Sequence, residues 1–292
     1  MTAMTRSLDD PDFDFLRALV ERRAGIAVGP HKRAFLEARI GKRLRALGLA
    51  SYGDYRELLS ADPAEETELL EAVCTHETRF FRHGTSFGLL ASEASRWAQK
   101  IARGEKAPRI RVLSAGCATG EEAYSAAMTL LSRFPEGSGT AVEIHAVDLS
   151  SKAIATARAA TYPIASARHI PEGHRRAFAL EGTGEHEGLL RIGPAARSVV
   201  RFEQANLTAP REPGARRQPW EVGPFDAIFC AHVLMFLTPE AKLAVVARLA
   251  ELLDPWGLLF VGAAESLAGA FSVRKIGLSA YGRAHHLTDR GS

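Results

Sequence analysis

The sequence predicts an α/β protein in two parts. An N-terminal helical bundle covers residues 1–85, and a doubly wound, Rossmann-like sheet domain covers 86–292, with a small antiparallel β insertion at about 163–200. Three observations predict it. Up to about residue 75, apolar residues recur at helical spacing and no strand candidate occurs. The stretch Arg109 to Glu122 then runs an apolar strand into the small-residue turn Gly116-Cys117-Ala118-Thr119-Gly120 and directly into a helix. An open α/β sheet builds a ligand crevice in this way, at the carboxyl ends of its strands. Strand and helix segments alternate after it, except across residues 161–198, where repeated prolines and glycines interrupt.

Composition bounds the function classes. The 292 residues are 46% hydrophobic and 24% charged, as in ordinary globular protein, and a net charge of +3 gives no argument for nucleic acid. Cys74, Cys117 and Cys230 are odd in number and far apart, so neither a disulfide frame nor a metal site is expected, and a reducing compartment fits. The N-terminal stretch has no apolar signal core, and no segment is long enough to cross a bilayer; a cytoplasmic protein without membrane insertion is expected.

In the first part, helices are expected at Asp12–Arg23, His31–Leu47, Ser51–Leu59 and Ala64–Cys74. The second places Leu36, Ile40, Leu44 and Leu47 on one face and gathers Lys32, Arg39 and Arg43 on the adjacent flank beside Lys42, with Glu37 the one acid opposing them. This basic stripe over residues 31–47 is a docking surface for an acidic partner or a solvated face. Thr75-His76-Glu77-Thr78-Arg79-Phe80-Phe81-Arg82 follows, either a hinge anchored by its aromatics or a segment carrying polar groups into the crevice mouth.

In the second part, a linking helix is expected at Phe87–Ala102 and strands at Arg109–Leu113, Val142–Leu149, up to Asn206-Leu207, Phe225–Cys230 and Gly257–Gly262, with closing strands within Phe271–Ala284. Thr238-Pro239-Glu240 reads as a helix start, Thr as cap and Pro at the first position. Within the insertion, Leu189–Ile192 and Ser198–Phe202 read as two strands about a Gly-Pro turn. The acids decide the ligand. Glu121 and Glu122 open the helix after the glycine turn, where a pyrophosphate would otherwise bind. They repel phosphate and favour a cation or ribose hydroxyls, which points to a positively charged nucleoside such as S-adenosylmethionine. The alternative is a tight turn whose acids only suit the helix dipole. Asp148, at the end of the second strand, is placed to bond ribose hydroxyls, though it follows Gly120 later than the roughly 20 residues of a dinucleotide site.

The segments HETRFFR, SAGCATGEEAYSAAM, AVDLSSKAIATARAATYP, ANL, FDAIFCAHVLMFL and LFVGAAESL occur in the order found in the chemotaxis receptor methyltransferases (CheR type), and the basic helix followed by LGLASYGDYRELL resembles their N-terminal domain. The resemblance covers nearly the whole chain. It implies an S-adenosylmethionine-dependent methyltransferase domain that methylates glutamates on chemoreceptor cytoplasmic helices and releases S-adenosylhomocysteine; a monomer is expected. It implies cofactor contacts from His76, Thr78, Arg82, Gly116, Glu122, Asp148, Asn206, Leu207, Cys230 and Ala231, with Arg82 steering the reacting carboxylate and Phe236 at a catalytic position. Three places depart from the pattern: His76 stands for a usual Asn, Ala231-His232 for Arg-Asn, and Phe236 for Tyr. An imidazole keeps some hydrogen bonding, but Phe236 cannot replace a phenol. Two other readings are a cofactor-binding scaffold with little turnover and a methyltransferase for a small acid.

Overall fold

The structure, a computed structural model, describes residues 7–210, 218, 220–267, 269–270 and 272–284. Residues 1–6 of the predicted helical part, Phe271 at the head of the predicted closing strands, and the last eight residues lie outside these. The elements are α1 (Asp10–Ala24), α2 (Arg33–Leu47), α3 (Tyr52–Ala61), α4 (Pro63–Val73), α5 (Gly84–Ala102), β1 (Arg109–Ala115), α6 (Glu121–Leu131), β2 (Ala141–Asp148) and α7 (Ser151–Ala159). Then come β3 (Thr161–Pro163), α8 (Glu172–Phe178), β4 (Ala179–Glu181), β5 (Leu189–Ile192), α9 (Pro194–Ser198) and β6 (Val200–Gln204). The chain continues with β7 (Phe225–Cys230), α10 (Pro239–Leu252), β8 (Leu253–Val261), β9 (Val273–Gly277) and β10 (Ala280–Arg283). No described helix is long and apolar enough to cross a membrane.

The first four helices bury a core of their own around Leu16, Leu36, Ile40, Leu44 and Leu69. Each is delimited by local chemistry. Asp9, Ser51 and Asp62 cap α1, α3 and α4, and Gly25 and Gly48 end α1 and α2 in the left-handed conformation. The expected second helix splits: Pro30–Lys32 is a 3-10 turn and the α-helix proper begins at Arg33. Arg43 does not stand free on the basic stripe. Its guanidinium grips Glu65 with both Nε and Nη2 (2.7 and 2.6 Å), and Tyr55 donates to the same carboxylate at 2.8 Å. Burial alone raises the Glu65 pKa, but Arg43 and Tyr55 outweigh it and hold it below the ordinary range.

The main sheet has the order β6-β2-β1-β7-β8-β10-β9. Its first five strands are parallel, and β10 runs antiparallel to both neighbours. From β1 the chain builds outward through β2 to β6, then returns to β7 on the other side. The strand order therefore reverses between β1 and β7, and the crevice expected at such a switch point opens beyond their carboxyl ends. Alternation along β1 sorts the core. Ile110 and Val112 pack with α5 and α6, while Leu113 and Ala115 pack with α10 on the opposite face.

The insertion differs from expectation in one respect. Its sheet is β3-β5-β4, and β5 is the expected Leu189–Ile192 strand. Ser198–Phe202 is not its partner: Val200–Gln204 pairs parallel with β2 and is the third strand of the main sheet. Proline explains this. Pro194 sits at the first position of a helical turn, where its fixed φ and missing N–H are tolerated, so Gly193-Pro194 starts α9 and does not close a hairpin. The third strand also ends at Gln204, before Asn206-Leu207.

The helical bundle is tied to the sheet at two places. Ile26 bridges antiparallel to Leu237, with Ala27 N–H donating to Phe236 O at 2.7 Å and Thr238 N–H to Gly25 O at 2.8 Å. A Cβ at Gly25 would come within 2.7 Å of Ala241 on α10, so the joint needs glycine for space as well as for its φ of 64°. The other tie is Glu71 on α4. Its carboxylate accepts from the Ser150 hydroxyl, from Ser151 N–H and hydroxyl, and from Lys152 N–H, the orphan donors at the start of α7.

Candidate functional site

A cavity of about 410 Å³ lies where the bundle meets the carboxyl ends of β1, β2 and β7. That is within the roughly 300–1,000 Å³ of small-molecule sites. Its inner wall belongs to the sheet. β1 is followed by Gly116, whose φ of 83° and close neighbour both require glycine: a Cβ there would overlap Val233, 2.2 Å away. Asp148 closes β2. Its carboxylate accepts from Ala118 N–H at 2.8 Å and Ser150 N–H at 2.9 Å, which fixes it against the glycine turn. Glu122, in the first turn of α6, accepts from the Ser114 hydroxyl at 2.7 Å. Burial is the main reason its carboxyl is pushed up to about 7, with the nearby Glu265 adding and Ser114 opposing. Glu121 behaves differently. It accepts from Thr119 at 2.6 Å and does not line the cavity.

The outer wall belongs to the bundle and the segment after α4. Ala27, Lys32 and Phe35 contribute from the bundle, and Thr75 through Arg79, Arg82 and His83 from the segment. Both readings of that segment hold. Phe80 is buried edge-on to Tyr162 and Phe81 packs on Phe87, while Thr78, Arg79 and Arg82 line the cavity. Arg82 donates to Glu77 O at 2.5 Å, and Lys32 donates to Ala27 O at 2.8 Å with its ammonium 5.9 Å from the Phe236 ring centre. The third wall is the loop after β7, from Ala231 to Leu237. Glu265 holds it by accepting from His232 N–H and Met235 N–H, and it also takes Gly262 N–H.

The cavity thus offers carboxylates on the sheet side and, on the bundle side, the cations Lys32, Arg79 and Arg82 with one acid, Glu77, 4.0 Å from Arg82. His76 adds an unpartnered ring Nε2, 4.0 Å from Asp148 Oδ1. These residues fit a cationic nucleoside: acids for an ammonium or sulfonium and for ribose hydroxyls, a free imidazole nitrogen, and apolar surface from Val28, Leu207 and Val233 for a base. Residues 76–279 match the family described as CheR methyltransferase, SAM binding domain, and residues 11–74 that described as CheR methyltransferase, all-alpha domain.

The chain belongs to the CheR methyltransferase family.

Curated relatives agree along most of the length. A chemotaxis protein methyltransferase of Klebsiella aerogenes is 33% identical over 264 residues, 89% of this chain and 85% of that one. One from Salmonella typhimurium is 34% identical, covering 92% and 89%. Chemotaxis protein methyltransferase 2 of Pseudomonas aeruginosa is 33% identical, covering 92% of each. The chain is accordingly a chemotaxis-type methyltransferase that uses S-adenosylmethionine.

Against that family background, the structure brings His76, Thr78, Arg82, Gly116, Glu122, Asp148, Asn206, Leu207, Ala231 and Phe236 to one cavity. Cys230 is the exception. Its side chain is fully buried in the core between the sheet and α10, one residue short of the cavity wall. Asn206 is present with its amide already engaged: it donates to Arg23 O at 2.6 Å and accepts from Thr208 N–H and hydroxyl. Its side chain therefore serves the joint with the bundle. Sequence reasoning missed Lys32 as a cavity residue, having placed it on the outer stripe, and missed His83 and Glu265. Glu265 had one legible sign, a carboxylate three residues after the glycine that follows a buried strand.

Proposed function

We propose that this methyltransferase acts on glutamate side chains of chemoreceptor cytoplasmic helices, forming methyl esters. The observation that carries the reading is the separation of charge across the cavity: Glu122 and Asp148 on the sheet side, Lys32, Arg79 and Arg82 on the bundle side. A cationic cofactor suits the first and an anionic side chain arriving from outside suits the second. When bound, S-adenosylmethionine supplies the sulfonium methyl; the carboxylate oxygen bonds to it as the C–S bond breaks and its electron pair stays on sulfur.

No general base is required, because a glutamate with a pKa near 4.3 is already ionised. The chain's part is to align the two reactants and exclude water. In this reading Asp148 takes the ribose hydroxyls and Glu122 the cofactor's positive end. His76, Thr78, Gly116, Leu207 and Ala231 complete the cofactor wall, with the backbone at Asn206. Arg82 steers the incoming carboxylate through one oxygen, since a two-oxygen grip would blunt the nucleophile. Phe236 sits at the reacting end beside Lys32. The division at 1–85 and 86–292 assigns the segment bearing Arg82 to the helical part. The remainder of the stripe on α2, half-buried Arg39 and exposed Lys42, faces the receptor, and the enzyme works as a cytoplasmic monomer.

The test is methyl transfer from labelled S-adenosylmethionine, with and without receptor. Base-labile label on receptor glutamates is the expected result. Label on a small acid in the absence of receptor, or cofactor binding with no transfer to any receptor offered, would overturn it.

A further inference from the structure

His83 and His232 come from opposite walls of the cavity and meet there. Their Nε2 atoms are 2.8 Å apart and the rings stack with centres 4.8 Å apart at 25°. Neither imidazole has a more local task. His83 stands at the N-cap of α5 but its side chain makes no capping bond. His232 follows β7 with a φ of 62°, an uncommon conformation for a residue with a side chain. Glu265 holds its backbone there, and His83 holds its ring. One neighbour of His83 in sequence is Arg82, and the loop that holds His232 also carries Phe236.

We propose that His83 and His232 act as one positioning unit for methyl transfer, a clasp that fixes the Arg82 segment against the loop bearing Phe236 and holds only while at least one ring is neutral. The proposal rests on the function given above. An Nε2–Nε2 bond needs a proton on one nitrogen and a lone pair on the other; with both rings protonated, two donors would face each other at 2.8 Å. The charged groups around the pair are Arg79 and Arg82 on the His83 segment, Glu77 on the same segment, and Glu265 behind the loop. Burial comes first in lowering both imidazoles, so the neutral pair is the favoured state at neutral pH.

The experiment measures receptor methylation against pH at saturating S-adenosylmethionine. It compares the full-length protein, His232→Ala, and the double variant His83→Gln/His232→Asn. The amides can keep a donor–acceptor contact but cannot titrate. His232→Ala is expected to lower kcat by about tenfold with the KM for cofactor little changed. The double variant is expected to recover most of that kcat and to lose the part of the acid limb that the histidines cause. A normal kcat in His232→Ala, or an unchanged acid limb in the double variant, overturns the clasp. If no protein transfers methyl, the function above has failed, and the clasp is judged on imidazole ¹⁵N shifts. Coupled titration of the two rings supports it, and independent titration ends it.

Discussion

The inner and outer walls of the cavity are built on different terms. The inner wall is made of strand ends and a helix start. Asp148 is held by two backbone N–H groups, and Glu122 sits on the first turn of α6. The outer wall and the third wall beside it are made of a linker, the face of a separate bundle and a loop, held by side-chain contacts such as Lys32 on Ala27 O and His83 on His232. The difference separates two tasks. In the proposed reading, fixed backbone places the acids that take the cofactor, while side chains of the linker, the loop and the bundle meet the substrate.

The largest effect should come from disturbing the seating of the outer wall. Arg43→Glu leaves the buried Glu65 facing a like charge where it had a bidentate partner. Breaking a buried pair costs about 3 kcal/mol or more, so thermal unfolding should fall by several degrees. Arg39→Glu, at a side chain that stacks on Phe35, should leave stability near that of the parent and raise the KM for receptor in low salt only. Equal destabilisation by the two would mean that the Arg43 pair does not support the bundle.

Next is the inner wall itself. Asp148→Ala removes charged hydrogen bonds of roughly 1.5–3 kcal/mol each, so S-adenosylmethionine and S-adenosylhomocysteine should both weaken by at least about tenfold. Calorimetric titration measures it, and unchanged affinity for either ligand would misplace the ribose.

Glu122 distinguishes a satisfied carboxylate from an unsatisfied one. Its carboxyl is pushed up to about 7 without ligand, and a cationic ligand favours the ionised form. Below pH 7 the group is mostly neutral, so cofactor affinity should fall as pH drops, by about tenfold between pH 8 and pH 6. Binding in that window should release a proton, seen as a buffer-dependent heat. Glu122→Gln should bind more weakly at pH 8 and flatten the profile; a variant with the parent's pH dependence would assign the proton elsewhere.

The smallest effect belongs to the loop of the third wall. Phe236 lacks a hydroxyl, worth about 0.5–1.5 kcal/mol if it acts in the transition state. Phe236→Tyr should raise kcat a few-fold to about tenfold in single-turnover methyl transfer, with the KM for cofactor little changed. A slower variant would mean that the pocket beneath Lys32 is packed for phenylalanine, the added hydroxyl being buried without a partner.

The same division explains what the sequence made legible. The helix Glu121–Leu131, the Thr238 cap and the β7 strand were readable because local chemistry alone determines them. Asp148 and Glu122 followed, since a residue at an element's end has a fixed direction. Ser198–Phe202 reads as a strand of the insertion, whereas Val200–Gln204 joins the main sheet, because strand propensity does not say which edge a strand will join. The pairing of Arg43 had no sign in the sequence of α2, because Glu65, which neutralises it, lies on another helix. The His83–His232 contact spans 149 residues and had no periodic sign.

The tie at Glu71 has a consequence for how such a protein can change its parts. The start of α7 directly follows Asp148, and its donors are completed by a residue of the helical bundle. The bundle is thus not a detachable module. A chimera that exchanges it must bring a carboxylate at position 71 that matches Ser150-Ser151-Lys152. Without that match, the Ser151 and Lys152 N–H groups lose their acceptor, and only the Ser150 side chain, on Ala153 N–H, still caps α7. In lineages that shuffle these two domains, position 71 and residues 150–152 should change together.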